Sequence, residues 1–257
     1  GVQGTSPDVR FTIVPGSIVA LQNCTVEVLT LGGDVEPTTP ELRWGRSGHP
    51  EVRFREYLVR RYETALGRAT AVMVGRINDI GELSLRDYHA PPGVDLTWLV
   101  SQRGTNDAGE VTESSAVQLS GRVELLTPVI TALSNPSENR FLLRHQTSGP
   151  PSEKLKPRRS VVQTWGADGK PTIFKAPGTQ KVLNGRFTLV TDEYGTAVAK
   201  MERIQQVLQA GGLVSYRKGR DRRWIDIADN DFTPGEAVGT WDVTLQFEET
   251  AYREILG

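Results

Sequence analysis

The sequence predicts a mainly β protein of two domains: a β-sandwich, then a β-sandwich or split barrel flanked by one α-helix. Three observations carry that prediction. Short apolar or alternating runs recur along the chain, as half-buried strands require. Gly and Pro, at 26 and 15 of 257 residues, punctuate those runs with turns. Only one stretch, 196–210, shows helical periodicity. At 37% apolar residues the cores are thin, which suits a turn-rich β protein better than a helical one.

In chain order, residues 1–10 are small and polar and read as a flexible lead-in, without the basic and apolar regions of a signal peptide. The first residue is Gly rather than Met, which fits processing or trimming. Strands are expected at 11–14, 24–31 and 42–45; 52–62, where Val52, Phe54, Leu58 and Tyr62 are interleaved with Arg, fits a long strand or a short helix from Glu51, and its β-branched and aromatic content favours the strand. Further strands fall at 71–74 and 82–85. The Asp87–Gly93 turn, with Pro91 and Pro92, leads into 94–102, where Val94, Leu96, Trp98 and Val100 alternate. A strand at 115–119 closes the first domain. About seven short strands without a helix describe a β-sandwich over 11–125.

Residues 126–136 change composition and end in Leu133-Ser134-Asn135-Pro136, which reads as a hinge. The second domain spans 137–257. It opens with a strand at 141–145 and a Pro- and Lys-rich loop at 147–157. Strands at 161–164 and 172–175 flank a Gly-containing turn, and 182–191 is a further strand. Next comes the helix, Thr196 to Ala210, with Val198, Met201, Ile204 and Leu208 as its apolar stripe and Val207 widening it. Gly211 and Gly212 end it, since Gly tolerates the left-handed C-cap conformation. A hairpin at 213–228, a loop with Pro234-Gly235 and a strand at 241–248 follow. In that last strand Trp241, Val243, Leu245 and Phe247 share one face.

The chemistry-bearing residues argue against catalysis. His49, His89 and His145 are far apart and read as surface or loop residues, and one cysteine, Cys24, gives neither a disulfide nor a zinc cluster. Nucleotide and hydrolase motifs are absent, so no cofactor is expected. Asp226, Asp229, Asp231 and Glu236 lack a calcium-loop spacing and read as a solvated loop. Basic and acidic residues number 30 and 31, a formal net charge of −1, which gives no overall field for nucleic acid. No apolar run approaches the roughly eighteen residues of a membrane span.

Two basic runs remain. Lys154, Lys156, Arg158 and Arg159 form one, and Arg217, Lys218, Arg220, Arg222 and Arg223 form the other, at a hairpin tip. Neither holds the interleaved aromatics that bases stack on. The second run is read as a contact with a neighbouring subunit. The five Trp residues fall mostly at core-like strand positions, with Trp165 beside a Gly turn.

The order of patterns in the second half is Leu133-Ser134-Asn135-Pro136, Val182 to Leu189, the helix, Gly211 to Arg217, Arg223 to Ile227 and Trp241 to Phe247. It resembles the C-terminal module of minor tail proteins from long-tailed phages (siphoviruses) of actinobacteria. That module is similar to the ring-forming domains of distal tail and tail-tube proteins. In the first half, Glu51 to Tyr62, Asp87 to Trp98 and Gly109 to Val117 resemble the later strands of a fibronectin-type-III-like sandwich, with Trp98 where Tyr is more usual.

The resemblance implies a structural, non-enzymatic component of a virion, located at the phage tail tip. Its second domain would close into a ring, a trimer or hexamer. Its partners would be further copies of itself, the tail tube, the tape measure and the tail-tip hub. The alternative is a carbohydrate- or receptor-binding module of a phage particle or cell surface, which calls for Trp side chains exposed on one face. A glycosidase or peptidase would need converging carboxylates or a nucleophile pair that the sequence does not show.

Overall fold

The computed structural model describes residues 18, 20–30, 37–48, 53–143, 152–162, 172–192, 195–209, 212–250 and 254, with the backbone alone for 152–162, 172–184, 228 and 229. The fold is mainly β, with three antiparallel sheets and one α-helix among these residues. The first part runs β1 (Thr25–Leu29), β2 (Thr39–Arg43), β3 (Phe54–Glu63), a 3-10 turn (Arg68–Thr70), β4 (Val72–Ile77) and β5 (Ser84–Arg86). It continues through β6 (Asp95–Thr105), β7 (Val111–Glu113) and β8 (Val117–Arg122). One sheet has the order β1-β2-β5. The other has the order β4-β3-β6-β7, with β8 also paired to β6.

The two sheets share a core of Leu42, Trp44, Tyr57, Val59, Leu96, Trp98 and Val100, all buried. Alternation along β6 puts Leu96, Trp98 and Val100 on that inner face, as their spacing predicts. Tyr57 is buried as a phenol because both of its hydrogen-bonding roles are filled. Its oxygen accepts from the Ser47 N–H and donates to the Ile80 carbonyl, each at 3.0 Å.

The second part comprises β9 (Val129–Ala132), β10 (Arg140–Leu142), β11 (Ser152–Val162), β12 (Thr172–Leu189), α1 (Ala197–Gln209), β13 (Val214–Lys218), β14 (Asp221–Pro234) and β15 (Trp241–Glu249). Seven of these elements form one sheet in the order β10-β9-β13-β14-β15-β12-β11. Thr196 caps the helix, its hydroxyl accepting from the Ala199 N–H at 3.1 Å. The helix lies on one face of the sheet over a core of Phe187, Leu189, Val214, Ile225, Val243, Leu245 and Phe247.

Four expectations change. In the helix, Ile204 is fully buried, and Met201 and Leu208 pack on the core, but Val198 is 46% exposed. The stripe is instead Ala197, Met201, Ile204, Val207 and Leu208. At about 100° per residue, Val198 falls roughly 100° off its centre line. Residues 126–136, read as a hinge, contain β9, whose Val214↔Ala132 to Arg217↔Val129 register places it inside the large sheet. Residues 152–157 of the expected 147–157 loop belong to β11, and Asp226, Asp229 and Asp231 lie in β14 rather than in a loop. The strand expected at 11–14, both His49 and His145, Trp165 and the 166–170 turn lie outside the described residues.

Candidate functional site

Strand parity creates a polar seam between the two cores. On the large sheet, Ile130, Ala132, Val214 and Tyr216 turn toward the helix-covered core. Val129, Thr131, Arg140, Ser215 and Arg217 therefore take the opposite face, and all five are buried. What buries them is the first part of the chain. Val129 and Leu142 join its core cluster.

Arg217 is fully buried, and its Nη1 donates to the Ala90 and Thr38 carbonyls at 3.2 and 3.3 Å. Its Nε and Nη2 have no partner among the described residues. Burial first, then the charge of Arg140, pushes its pKa down from 12.5 to about 9. Arg140 donates to the Thr38 hydroxyl at 2.6 Å.

Beside Arg217, His89 Nδ1 lies 2.8 Å from the Ser215 hydroxyl, and its ring sits 5.2 Å from that of Trp224. Burial, followed by the Arg217 charge, drives the His89 pKa from 6.5 to about 3, so the ring is neutral. The turn of the hairpin is pinned at the same seam. Gly219 donates to the Leu125 carbonyl at 2.8 Å, and Gly93, at φ 69°, lies so close that a Cβ there would meet Gly219 O at 2.7 Å. Only glycine combines that backbone conformation with that approach.

The strongest charges in the seam form a four-member chain. Arg61 continues the inward parity of Tyr57 and Val59 on β3, and its Nη1 donates to both Asp87 carboxylate oxygens at 2.7 Å. Its Nη2 donates to both Glu254 oxygens at 2.8 and 2.9 Å. Arg222 Nη1 donates to Glu254 Oε2 at 2.9 Å and to the His89 carbonyl at 3.1 Å. Asp87 also accepts from the Trp98 indole at 2.9 Å. Burial by itself raises the Asp87 pKa, but Arg61 and the indole outweigh it and hold the carboxyl below its ordinary range. A cleft of about 770 Å³ opens on this chain, walled by β4, β5, His89, Trp224 and Glu254.

The basic hairpin tip is thus not the free surface its sequence suggests. Arg217 lies inside the molecule, and Arg222 is spent on Glu254 and His89. Arg223 is ion-paired to Asp221 at 2.7 Å, Lys218 is half-buried, and Arg220 is exposed. His89, read as a surface or loop residue, does lie in a turn, but it is half-buried and drawn into the seam. Sequence reasoning missed Arg61, Asp87, Arg140 and Glu254. One signal was available for Arg61, a charge at an inward strand position, which requires a buried partner. Glu254, 193 residues away, gave none.

Among the described residues, no group of three or more His, Cys, Asp or Glu is placed to hold a metal ion. No helix is long and apolar enough to cross a membrane. No family model and no curated protein matches the sequence. Among solved structures the chain is similar to a chain from the virion of a native gene transfer agent particle. That likeness has 9% identity, 51% coverage of this chain, 95% of the other, and a TM-score of 0.29. A likeness so slight carries no argument about function.

Proposed function

We propose that the chain is a structural component of a bacteriophage tail, a minor or distal tail protein at the tail tip. In this reading its large sheet assembles into a ring around the tail axis. The observation that supports this is the ribbon formed by β11 and β12. Strand β15 pairs with β12 only from Val182 to Leu189, whereas Thr172 to Lys181 pairs with β11 alone among the described strands. At roughly 3.3 Å per residue the ribbon runs about 30 Å past the sheet.

A two-stranded ribbon is marginal in water, and its outer backbone groups are a template for another strand. At its middle the register slips between Pro157 and Arg159, opposite Ala176, Pro177 and Gly178, an irregularity of the kind that kinks a strand. A neighbouring copy that accepts the ribbon on a different surface makes a head-to-tail contact, and such contacts close rings when the rotation allows. The tail tube, tape measure and tail-tip hub are the neighbours this position implies.

The carbohydrate-binding alternative has less support. Trp44, Trp98 and Trp224 are buried, and Trp241 is half-buried against the core. Light scattering on the purified protein and electron microscopy of virions test the proposal. The expected results are a discrete ring-sized mass and density at the tail tip, both lost when the ribbon is shortened so that a turn joins Lys154 directly to Val182. A monodisperse monomer that is absent from virions overturns it.

A further inference from the structure

We propose that Arg217 and Thr131 hold a small inorganic anion of the chloride class inside the seam, bound on the guanidinium edge that Nε and Nη2 share. The site goes beyond ring assembly and does not rest on it.

Arg217 is fully buried, and a single nitrogen, Nη1, serves both of its carbonyl acceptors, Ala90 at 3.2 Å and Thr38 at 3.3 Å. Nε and Nη2 have no partner among the described residues. Those two atoms form one edge of the planar group and point their N–H bonds in parallel, the arrangement that grips an anion. A whole edge of the guanidinium is thus shut off from solvent without an acceptor.

A second donor stands beside it. Strand β13 pairs with β9 so that Arg217 lies opposite Val129 and Ser215 opposite Thr131. Thr131 is therefore the diagonal neighbour of Arg217 on the same face, a separation that a long side chain spans. Its hydroxyl is fully buried and also has no partner among the described residues. A hydroxyl can turn its proton toward an anion, so one acceptor satisfies both residues.

Charge separates an anion from a water molecule as that acceptor. With a pKa of about 9, Arg217 is cationic at neutral pH. The charges that act on it are mostly of its own sign: Arg140 most strongly, with Arg222 and Arg61 adding to it, against Asp87. Asp87 is committed to Arg61 and to the Trp98 indole. Water would fill the hydrogen bonds and leave a buried charge uncompensated, which is the costly state, whereas an anion does both. Closure to solvent restricts the ligand to a compact ion.

Urea unfolding of the intact chain, with gluconate replacing chloride at fixed ionic strength, tests this. Once the site saturates, the folding equilibrium constant follows anion concentration, so tenfold more chloride should raise it about tenfold. Arg217→Met should stay near the parent in gluconate and show no chloride dependence. Thr131→Val keeps the side-chain shape and should need several times more chloride for the same gain. In crystals grown with bromide, an anomalous peak should sit on Nε and Nη2 of Arg217. If Arg217→Met does not fold, Thr131→Val and the bromide peak decide. A parent indifferent to chloride, or an equal dependence in Arg217→Met, overturns the proposal. So does a bromide-free edge, and so does a bromide peak without any chloride dependence, which marks an adventitious ion only.

Discussion

His89 shows how burial converts an ordinary turn residue into a pH-dependent weight on the fold. Its native pKa of about 3 lies below its ordinary 6.5, so between those values the unfolded chain takes up a proton that the native state refuses. Its contribution is complete above pH 6.5 and is lost as pH falls toward 3, with a slope of up to about 1.4 kcal/mol per pH unit. The carboxyls of Glu41, Glu113, Asp87 and Asp242 are all held low and act in the same direction. Their unfolded-state titrations lie near 4.5 and 3.8, which leaves the interval from 6.5 to 5 largely to histidine. Urea unfolding of the parent and of His89→Asn at pH 6.5 and 5.0 checks this. The parent should lose more stability across the interval, and the variant should show a flatter profile.

At the scale of elements, the helix separates what periodicity predicts from what packing selects. Val198 and Ile204 both belong to the apolar series, yet one is 46% exposed and the other fully buried. Ile204→Ala should cost about 2–4 kcal/mol, through lost transfer energy and the cavity left beneath the helix. Val198→Ala should stay within about 0.5 kcal/mol, the range of surface substitutions. Thermal or denaturant unfolding of the two variants reads the difference, and equal losses would put the stripe back where the sequence suggested it. The same distinction explains the ribbon. Its Pro and Lys content resembles a loop, but Pro is tolerated on an outermost strand, where a missing N–H breaks no ladder.

At the scale of the whole molecule, the two cores are joined by charges that differ in what their removal leaves behind. Arg61→Met takes the guanidinium from the fully buried Asp87, which keeps only the Trp98 indole, and leaves Glu254 to Arg222 alone, so it should cost about 3–5 kcal/mol. Arg217 is equally buried, but its direct hydrogen-bond acceptors are carbonyls rather than a carboxylate. Arg217→Met gives up two hydrogen bonds while relieving the burial of a charge, so the opposing terms leave a net change within about 1 kcal/mol. Denaturant midpoints for the pair check that order. An Arg217 loss as large as that of Arg61 would mean its carbonyl contacts hold the seam together.

The sequence alone determined the mainly β class, the single helix, the inward alternation of Leu96, Trp98 and Val100, and the shared face of Val243, Leu245 and Phe247. Each of these depends on the short repeat of a strand or helix, which neighbouring residues spell out. The tertiary structure decided which side of the hairpin tip is buried and which charges pair. It also placed Val129–Ala132 in the large sheet beside β13. Arg217 and Arg222 read as surface residues because burying a cation costs several kcal/mol unless partners compensate. Those partners are Ala90 and Thr38, more than a hundred residues upstream, and Glu254, held by an arginine 193 residues away. Local pattern fixes which face of a strand is apolar, but only the packed chain brings an anion to a buried arginine.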